Sequence, residues 1–161
     1  MTASLPDYPV LNFPAFDLRL EGPPGQVGIF DVVRRKFVRL TPEEWVRQHL
    51  IHFLIHHRNY PLHLLAVEYS LKWDKLTRRC DVIAFGKGLR PLLIAEVKAP
   101  QVPVTQKVLD QVLRYNLPFR APHLLLSNGL RHFMFSLDGT GGSYAPRQDV
   151  PFYQDIREGN P

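Results

Sequence analysis

The chain has 161 residues, of which 45% are hydrophobic, so it can bury one sizeable core and does not call for a second domain. Its formal net charge of +5 and its pI near 9.6 favour a polyanionic partner such as a nucleic acid. A lone cysteine leaves no disulfide framework, and no apolar run approaches the ~20 residues that span a bilayer. The start lacks a basic region followed by an apolar run, so we expect a cytoplasmic protein without membrane contact.

The elements predicted first along the chain form a scaffold. Residues 1–26 are rich in proline and predict an extended arm that packs over the domain or is partly disordered, and residues 27–161 predict a single domain. Residues 26–33 and 36–40 predict a hairpin, residues 42–57 a helix, and residues 64–72 a strand. The histidines at positions 49, 52 and 56 are expected to form a semi-polar helix face rather than a zinc site.

The most informative residues lie on the next hairpin. Residues 79–85 and 91–98 predict two strands, and Glu96 and Lys98 share a face because strand side chains alternate. The hairpin can bring Asp81 opposite the end of the second strand. Two carboxylates there predict a Mg²⁺ site, with Mn²⁺ as a substitute and the backbone carbonyl of Val97 as a further ligand. Lys98 is predicted to orient the attacking water or stabilise transition-state charge, although a structural ion pair would leave the same pattern.

A predicted helix over residues 105–116 follows, with Thr105 as its N-cap. Gln111 and Tyr115 are four residues apart, so they share one helical face and are expected to stand over the hairpin. Either can contact a phosphate or a catalytic group, or lie at the rim of an amphipathic helix. Strands over residues 122–126 and 132–137, joined by a turn at residues 127–129, complete the pattern.

Together, Asp81, the triplet at residues 96–98 and the pair Gln111 and Tyr115 resemble the core of the PD-(D/E)XK nuclease superfamily. Reading outward, residues 40–48, 79–81, 96–100, 110–116 and 127–129 are similar to the N-terminal endonuclease domain of type I restriction enzyme R subunits, over roughly residues 27–135. The resemblance implies an α/β fold with a mixed sheet flanked by helices, a restriction-endonuclease-like core, and metal-dependent cleavage of DNA. It also implies that Glu44 joins the metal site, with Glu43 as a nearby competitor.

Two departures from the family pattern stand out. Cys80 occupies the position that the superfamily name gives to proline, which leaves the acids intact. The chain also lacks the G-x-x-x-x-G-K-[ST] phosphate loop of an ATP-driven motor, so translocation does not carry over. The sequence is therefore that of a stand-alone relative or of a piece of something longer.

Basic residues supply the expected DNA contacts. The predicted set comprises Arg34, Arg35, Lys36, Arg79 and Arg114. The first three alternatively form a solvated turn, and we expect Lys72, Lys75, Arg78 and Arg79 to lie in a second basic loop. Two other functions stay open: a non-catalytic nucleic-acid-binding module, and a subunit that is active only within a restriction or defence complex. A homodimer that cuts both strands is a further alternative.

Overall fold

The computed structural model describes residues 3–158 of the chain, so Met1 and Thr2 of the predicted arm and residues 159–161 lie outside it. Nine strands and three α-helices are present in this part. The strands are β1 (Leu20–Glu21), β2 (Gly28–Asp31), β3 (Lys36–Arg39), β4 (Leu65–Trp73), β5 (Leu76–Phe85), β6 (Pro91–Val97), β7 (His123–Ser127), β8 (His132–Leu137) and β9 (Tyr144–Arg147). The helices are α1 (Pro42–Arg58), α2 (Gln106–Asn116) and α3 (Tyr153–Ile156).

The strands form two sheets. A small antiparallel sheet has the order β1-β2-β3, and a six-stranded sheet has the order β4-β5-β6-β7-β8-β9. Only the β6–β7 pair of the larger sheet is parallel, because α2 carries the chain from the end of β6 back to the start of β7. The predicted mixed sheet flanked by helices is confirmed.

The helix α1 covers one face of the large sheet. Thr41 caps it, because its side-chain oxygen accepts the N–H of Glu44 over 3.1 Å, and Pro42 occupies the first turn. Asn59 closes the other end in the left-handed conformation. The apolar side of α1 packs with alternate residues of β5 and β6, which places one core cluster between the helix and the sheet.

The helix α2 covers the opposite face. The Thr105 side chain accepts the N–H of Val108 over 3.3 Å, as an N-cap does, and the predicted cap is confirmed. Leu109 and Val112 pack with Ile83 and Ile94 in a second core cluster. Because β5 and β6 are covered on both sides, their central residues form near-continuous apolar runs.

The N-terminal arm from residue 3 is extended and packs over α1. The indole N–H of Trp45 donates to the carbonyl of Pro9 over 3.1 Å, and Leu11 is buried. The end of the arm differs from the irregular segment that the proline content predicts, because Leu20–Glu21 forms the short β1 strand and pairs with β2.

No helix within residues 3–158 is long and apolar enough to cross a membrane, and the cytoplasmic location stays a prediction.

The second basic loop predicted around Lys72 to Arg79 is wrong. The structure has two continuous strands here, joined by a two-residue turn at Asp74 and Lys75, with Trp73 paired to Leu76. Asp74 takes a positive φ of 51°, which a tight hairpin requires and which aspartate tolerates. Strand β5 therefore begins at Leu76, three residues earlier than predicted, and Asp81 lies in its middle.

The hairpin of the small sheet is fixed to α1 by one buried carboxylate. Asp31 is fully buried; its Oδ1 accepts the N–H groups of Val33 and Arg34, and its Oδ2 accepts the side chains of Arg34 and Gln48. Desolvation on burial raises the pKa of Asp31, but these hydrogen bonds together outweigh it and hold the pKa below its usual value.

We expect Asp31→Asn to lower the free energy of unfolding at pH 7 by about 3 kcal/mol, because an amide cannot satisfy the donors that face both oxygens. A depressed pKa stabilises the fold above the ordinary carboxyl pKa of about 3.9 and loses that contribution as the pH falls through the folded value. Urea unfolding should therefore show a gap between parent and variant that narrows below pH 4. The exposed Asp7→Asn serves as the control, and equal midpoints at pH 7 for Asp31→Asn and the parent would contradict the assignment.

Candidate active site

The central hairpin divides where the two predicted acids lie. Strands β5 and β6 pair as far as Val82 and Ala95, after which β5 continues beside β4 and β6 continues beside β7. The next residue on each strand is an acid, Asp81 on β5 and Glu96 on β6. The backbone N–H of Val97 donates to Oδ2 of Asp81 over 2.8 Å, so a side-chain hydrogen bond holds the strands where the ladder ends. We call this opening the fork.

A third acid, Glu68, lies across from Asp81 on β4. The β4–β5 ladder pairs Val67 with Val82 and Tyr69 with Cys80 but skips the two acids between them. Glu68 has a positive φ of 54°, which is rare for a residue with a side chain. Val82 packs in the cluster with α1 whereas Cys80, two residues away, packs in the cluster with α2. Alternation along the strand is therefore broken at Asp81, beside the fork.

Glu96 forms ion pairs with two positively charged side chains. Its Oε1 lies 3.2 Å from the Nζ of Lys98, and its Oε2 accepts the guanidinium of Arg78 on β5. The Glu96 side chain is only 14% exposed, whereas that of Lys98 is 32% exposed. Lys98 thus keeps its ammonium at the mouth of the fork, within reach of a ligand held by the acids.

Asp81 has a more weakly bound partner. The Nη2 of Arg47 on α1 lies 3.6 Å from its Oδ1. Desolvation by burial raises the pKa of Asp81, and the Val97 hydrogen bond and Arg47 offset this only in part. The charged form of Asp81 is therefore under-stabilised by the protein alone and would gain from a further cation.

Glu44 is turned inward, and Glu43 is exposed. The Glu44 carboxylate binds the guanidinium groups of Arg34 and Arg47 at 2.6 Å each and accepts the Gln48 amide at 2.8 Å. Its connection to Asp81 runs through Arg47. Within residues 3–158, no three His, Cys, Asp or Glu side chains come close enough to hold a metal ion together. A cation at the fork would need further oxygen ligands from the backbone, solvent or substrate, and a direct role for Glu44 stays a prediction.

The helix α2 presents Gln111 and Tyr115 on its exposed side. Tyr115 lines a groove of about 410 Å³ together with Arg78, the partner of Glu96, and Arg114. Gln111 lies one turn away in a neighbouring concavity with Tyr115. In the described part of the chain neither side chain hydrogen-bonds to Asp81, Glu96 or Lys98; Tyr115 shares a groove with Arg78, whereas the concavity of Gln111 contains no residue of the fork.

The basic residues predicted to contact DNA divide into two groups. Arg34 is 18% exposed, and its guanidinium is occupied by Asp31, Glu44 and Glu68. The rest of the set is exposed and consists of Arg35, Lys36, Arg79 and Arg114. Arg79 is 66% exposed although it pairs with Glu68 over 2.7 Å. Arg34 is thus a member of the internal network, and the other four remain available to phosphates.

The histidines of α1 pack with aromatic side chains. His49 contacts Trp45 and Phe16, and its ring bonds to the Trp45 carbonyl. His52 stacks on Phe16 at 4.0 Å, and burial together with His56 and His49 lowers its pKa to about 4. The expected semi-polar face is thus an aromatic contact surface for the arm.

Sequence reasoning missed three residues of the site. Arg47 could have been found, because it follows Glu44 by three positions on the same helix and so faces it. Glu68 interrupts an apolar run, much as Glu96 does, which was an equally available signal. Arg78 is expected only as part of the second basic loop, and a residue in a loop does not predict a contact with Glu96.

Comparison with known protein families gives one match. The model of the type I restriction enzyme R protein N terminus matches residues 42–151, more than half of the chain. The match begins at the first residue of α1 and runs past β9, so it includes the fork and both flanking helices. A search of the curated proteins finds no significant match. The chain belongs to the family of type I restriction enzyme R protein N-terminal domains.

Proposed function

We propose that the protein is a Mg²⁺-dependent endonuclease that hydrolyses phosphodiester bonds of DNA at the fork. The observation that carries the proposal is the placement of Asp81, Glu96 and Lys98, two carboxylates and an ammonium gathered where β5 and β6 part. Restriction-enzyme family membership supports the same chemistry. The net charge of +5 suits a DNA substrate.

The residues at the fork fit a hard divalent cation. Magnesium prefers oxygen ligands and keeps several waters, so two carboxylates, the Val97 carbonyl and a substrate phosphate suffice as a shell. Burial raises the pKa of Asp81 despite its hydrogen bond and its arginine, so a cation would relieve an existing cost. When bound, Mg²⁺ would polarise the phosphoryl oxygen and lower the pKa of a ligand water.

Lys98 supplies the remaining charge. Its ammonium is held 3.2 Å from Glu96 and reaches solvent, so it can hydrogen-bond to the attacking water or to a phosphoryl oxygen that gains charge in the transition state. Tyr115 and Gln111 are exposed on α2, with Tyr115 in a groove beside Arg78, and are suited to hold the DNA backbone. Arg79 and Arg114 are exposed and add positive charge for contacts with phosphates.

One observation favours a second candidate, a subunit that is inert until a restriction-system partner or DNA acts on it. Asp81 and Glu96 are both paired with arginines, Arg47 and Arg78, which compete with a metal ion for the same oxygens. A partner that drew these guanidinium groups onto phosphates would free the acids. Cleavage only after a partner is added would favour this candidate over a domain that acts alone.

Glu96→Gln should abolish metal-dependent cleavage. The amide keeps the shape of the side chain but loses the charge that holds the cation, so we expect the nicking rate of supercoiled plasmid to fall by roughly 10²- to 10³-fold. Glu21→Gln, on the exposed edge of β1, is the matched control and should cleave like the parent. EDTA should stop both active proteins. Equal rates for Glu96→Gln and the parent would remove Glu96 from the site, and a parent inert in Mg²⁺ and Mn²⁺ would favour a binding module or the second candidate.

Lys98→Ala should separate cleavage from binding. Loss of the ammonium removes transition-state stabilisation, for which we expect a decrease of about 10²-fold or more in the cleavage rate. Binding to DNA in EDTA, measured by fluorescence anisotropy, should change little because other exposed cations carry it. Lys87→Ala, beyond the opposite end of β5, controls for the loss of one positive charge. A Lys98→Ala variant that cleaved like the parent would contradict the role.

Asp81→Asn provides a test of metal binding without cleavage. In EDTA the variant should be at least as stable as the parent, because burial disfavours the charged form of Asp81. Addition of Mg²⁺ should raise the melting temperature of the parent, since a ligand that binds only the folded state stabilises it, and should leave the variant unchanged. Equal Mg²⁺-induced shifts in both proteins would place the cation elsewhere.

A further inference from the structure

A two-stranded ribbon projects from the fork, made of residues 69–73 of β4 and 76–80 of β5. It contains five successive pairs, from Tyr69 with Cys80 to Trp73 with Leu76, beyond the last pair that β5 makes with β6. At about 3.3 Å per residue it is on the order of 15 Å long. Its inner part packs against α2 through Cys80 and Leu71, and its tip extends beyond them. Within residues 3–158, β4 is an edge strand and β6 pairs with β5 only as far as Val82, so no strand is hydrogen-bonded to either side of the ribbon.

The tip of the ribbon exposes a large apolar surface. Trp73 is 61% exposed and Leu76, its cross-strand partner, is 49% exposed. The other tryptophan, Trp45, is only 5% exposed and its indole N–H is hydrogen-bonded. Burial of an indole removes more apolar surface from water than burial of most other side chains. An exposed tryptophan therefore suggests a surface that contacts a partner.

The charge around Trp73 narrows the chemistry of that partner. Lys72 precedes it, Lys75 lies in the turn, and Arg79 is exposed on β5. Among residues 69–80 the one acidic side chain is that of Asp74, also in the turn. An exposed aromatic ring among cations is the arrangement that stacks on a nucleobase while holding the flanking phosphates. The ribbon also starts at the fork, where Asp81 follows Cys80 directly, so a nucleic-acid strand lying along the ribbon leads to the acids.

We propose that the ribbon is a nucleic-acid-binding arm, in which Trp73 stacks on an exposed base and Lys72 and Lys75 contact the neighbouring phosphates. The inference rests on the proposed function and specifies its substrate. An indole can cover a base only where that base has lost a stacking neighbour, so the arm selects single-stranded or locally unpaired DNA over an intact duplex. From Leu76 to Asp81 is about 17 Å along the strand, the length of roughly five stacked nucleotides.

Intrinsic tryptophan fluorescence provides the test, because Trp73 is exposed and Trp45 is buried. In EDTA, where cleavage is blocked, a 12-nucleotide oligothymidylate should quench the fluorescence of the parent and leave that of Trp73→Phe nearly unchanged. Trp73→Ala should weaken binding, measured by anisotropy of the labelled oligonucleotide, by roughly 5- to 150-fold. Leu89→Ala, at a 68% exposed residue beyond the other end of β5, is the matched control and should bind like the parent.

Charge and substrate form give two further readouts. Lys75→Ala should reduce the slope of log K against log salt by about 0.7–1, whereas Lys87→Ala should leave it unchanged. A blunt duplex of equal length should bind more weakly than the single strand and quench less. Parent-like affinity in Trp73→Ala with an unaltered melting curve, or equal quenching by duplex and single strand, would overturn the proposal.

The two proposals fail in different ways. Trp73-dependent quenching in EDTA from a protein that never cleaves in Mg²⁺ supports the arm and overturns the assignment of a nuclease that acts alone. Cleavage by the parent, with binding unaffected by Trp73→Ala, overturns the arm and keeps the nuclease.

Discussion

The hydrogen bond from the Val97 N–H to the carboxylate of Asp81 is the constraint on which the site depends. It replaces a ladder bond at the point where β5 and β6 part, and so joins the strands while leaving their ends separated. An apolar residue at position 81 would leave the Val97 N–H without this partner and would provide no charge. The Asp81 carboxylate therefore holds β5 and β6 together and also lies in the fork, where the proposed chemistry takes place.

A chain of ion pairs surrounds that hydrogen bond. Arg47 links Asp81 to Glu44, and Arg34 links Glu44 to Asp31 under the small hairpin. Buried pairs of this kind add little net stability, since desolvation of both charges offsets their attraction. Their effect is positional: α1 and the small sheet are held in one register relative to the fork. Arg47 also neutralises part of the charge of Asp81 and Glu44. A divalent cation at the fork would therefore have to compete with this guanidinium for the carboxylate oxygens.

The sequence predicted most of the helices and strands, but it did not predict the contacts between elements that are distant in the chain. A continuous apolar run predicted β6 and helical periodicity predicted α1 and α2 within a few residues, because β6 is buried on both faces and each helix buries one apolar face. Residues 69–72 and 79–80 of the ribbon are predicted as strand, but its tip is expected to be part of a basic loop, because lysines and arginines dominate residues 72–79 and few of them are buried. The acids could be singled out as charges within apolar strands, yet their pairing with Arg47 and Arg78 depends on contacts between distant elements and on the break in alternation at Glu68.

Under the proposed function, the position of the ribbon would make DNA binding and metal binding interdependent. Arg78 lies on the ribbon and pairs with Glu96 at the fork, while Arg79 next to it pairs with Glu68. Phosphates bound along the ribbon would compete with Glu96 and Glu68 for these two guanidinium groups. Each carboxylate that lost its arginine would then be left near the fork without a positively charged partner. DNA binding would then raise the affinity of the acids for a divalent cation, and by linkage the cation would raise the affinity for DNA. A site arranged in this way would bind a divalent cation most tightly once DNA is in place.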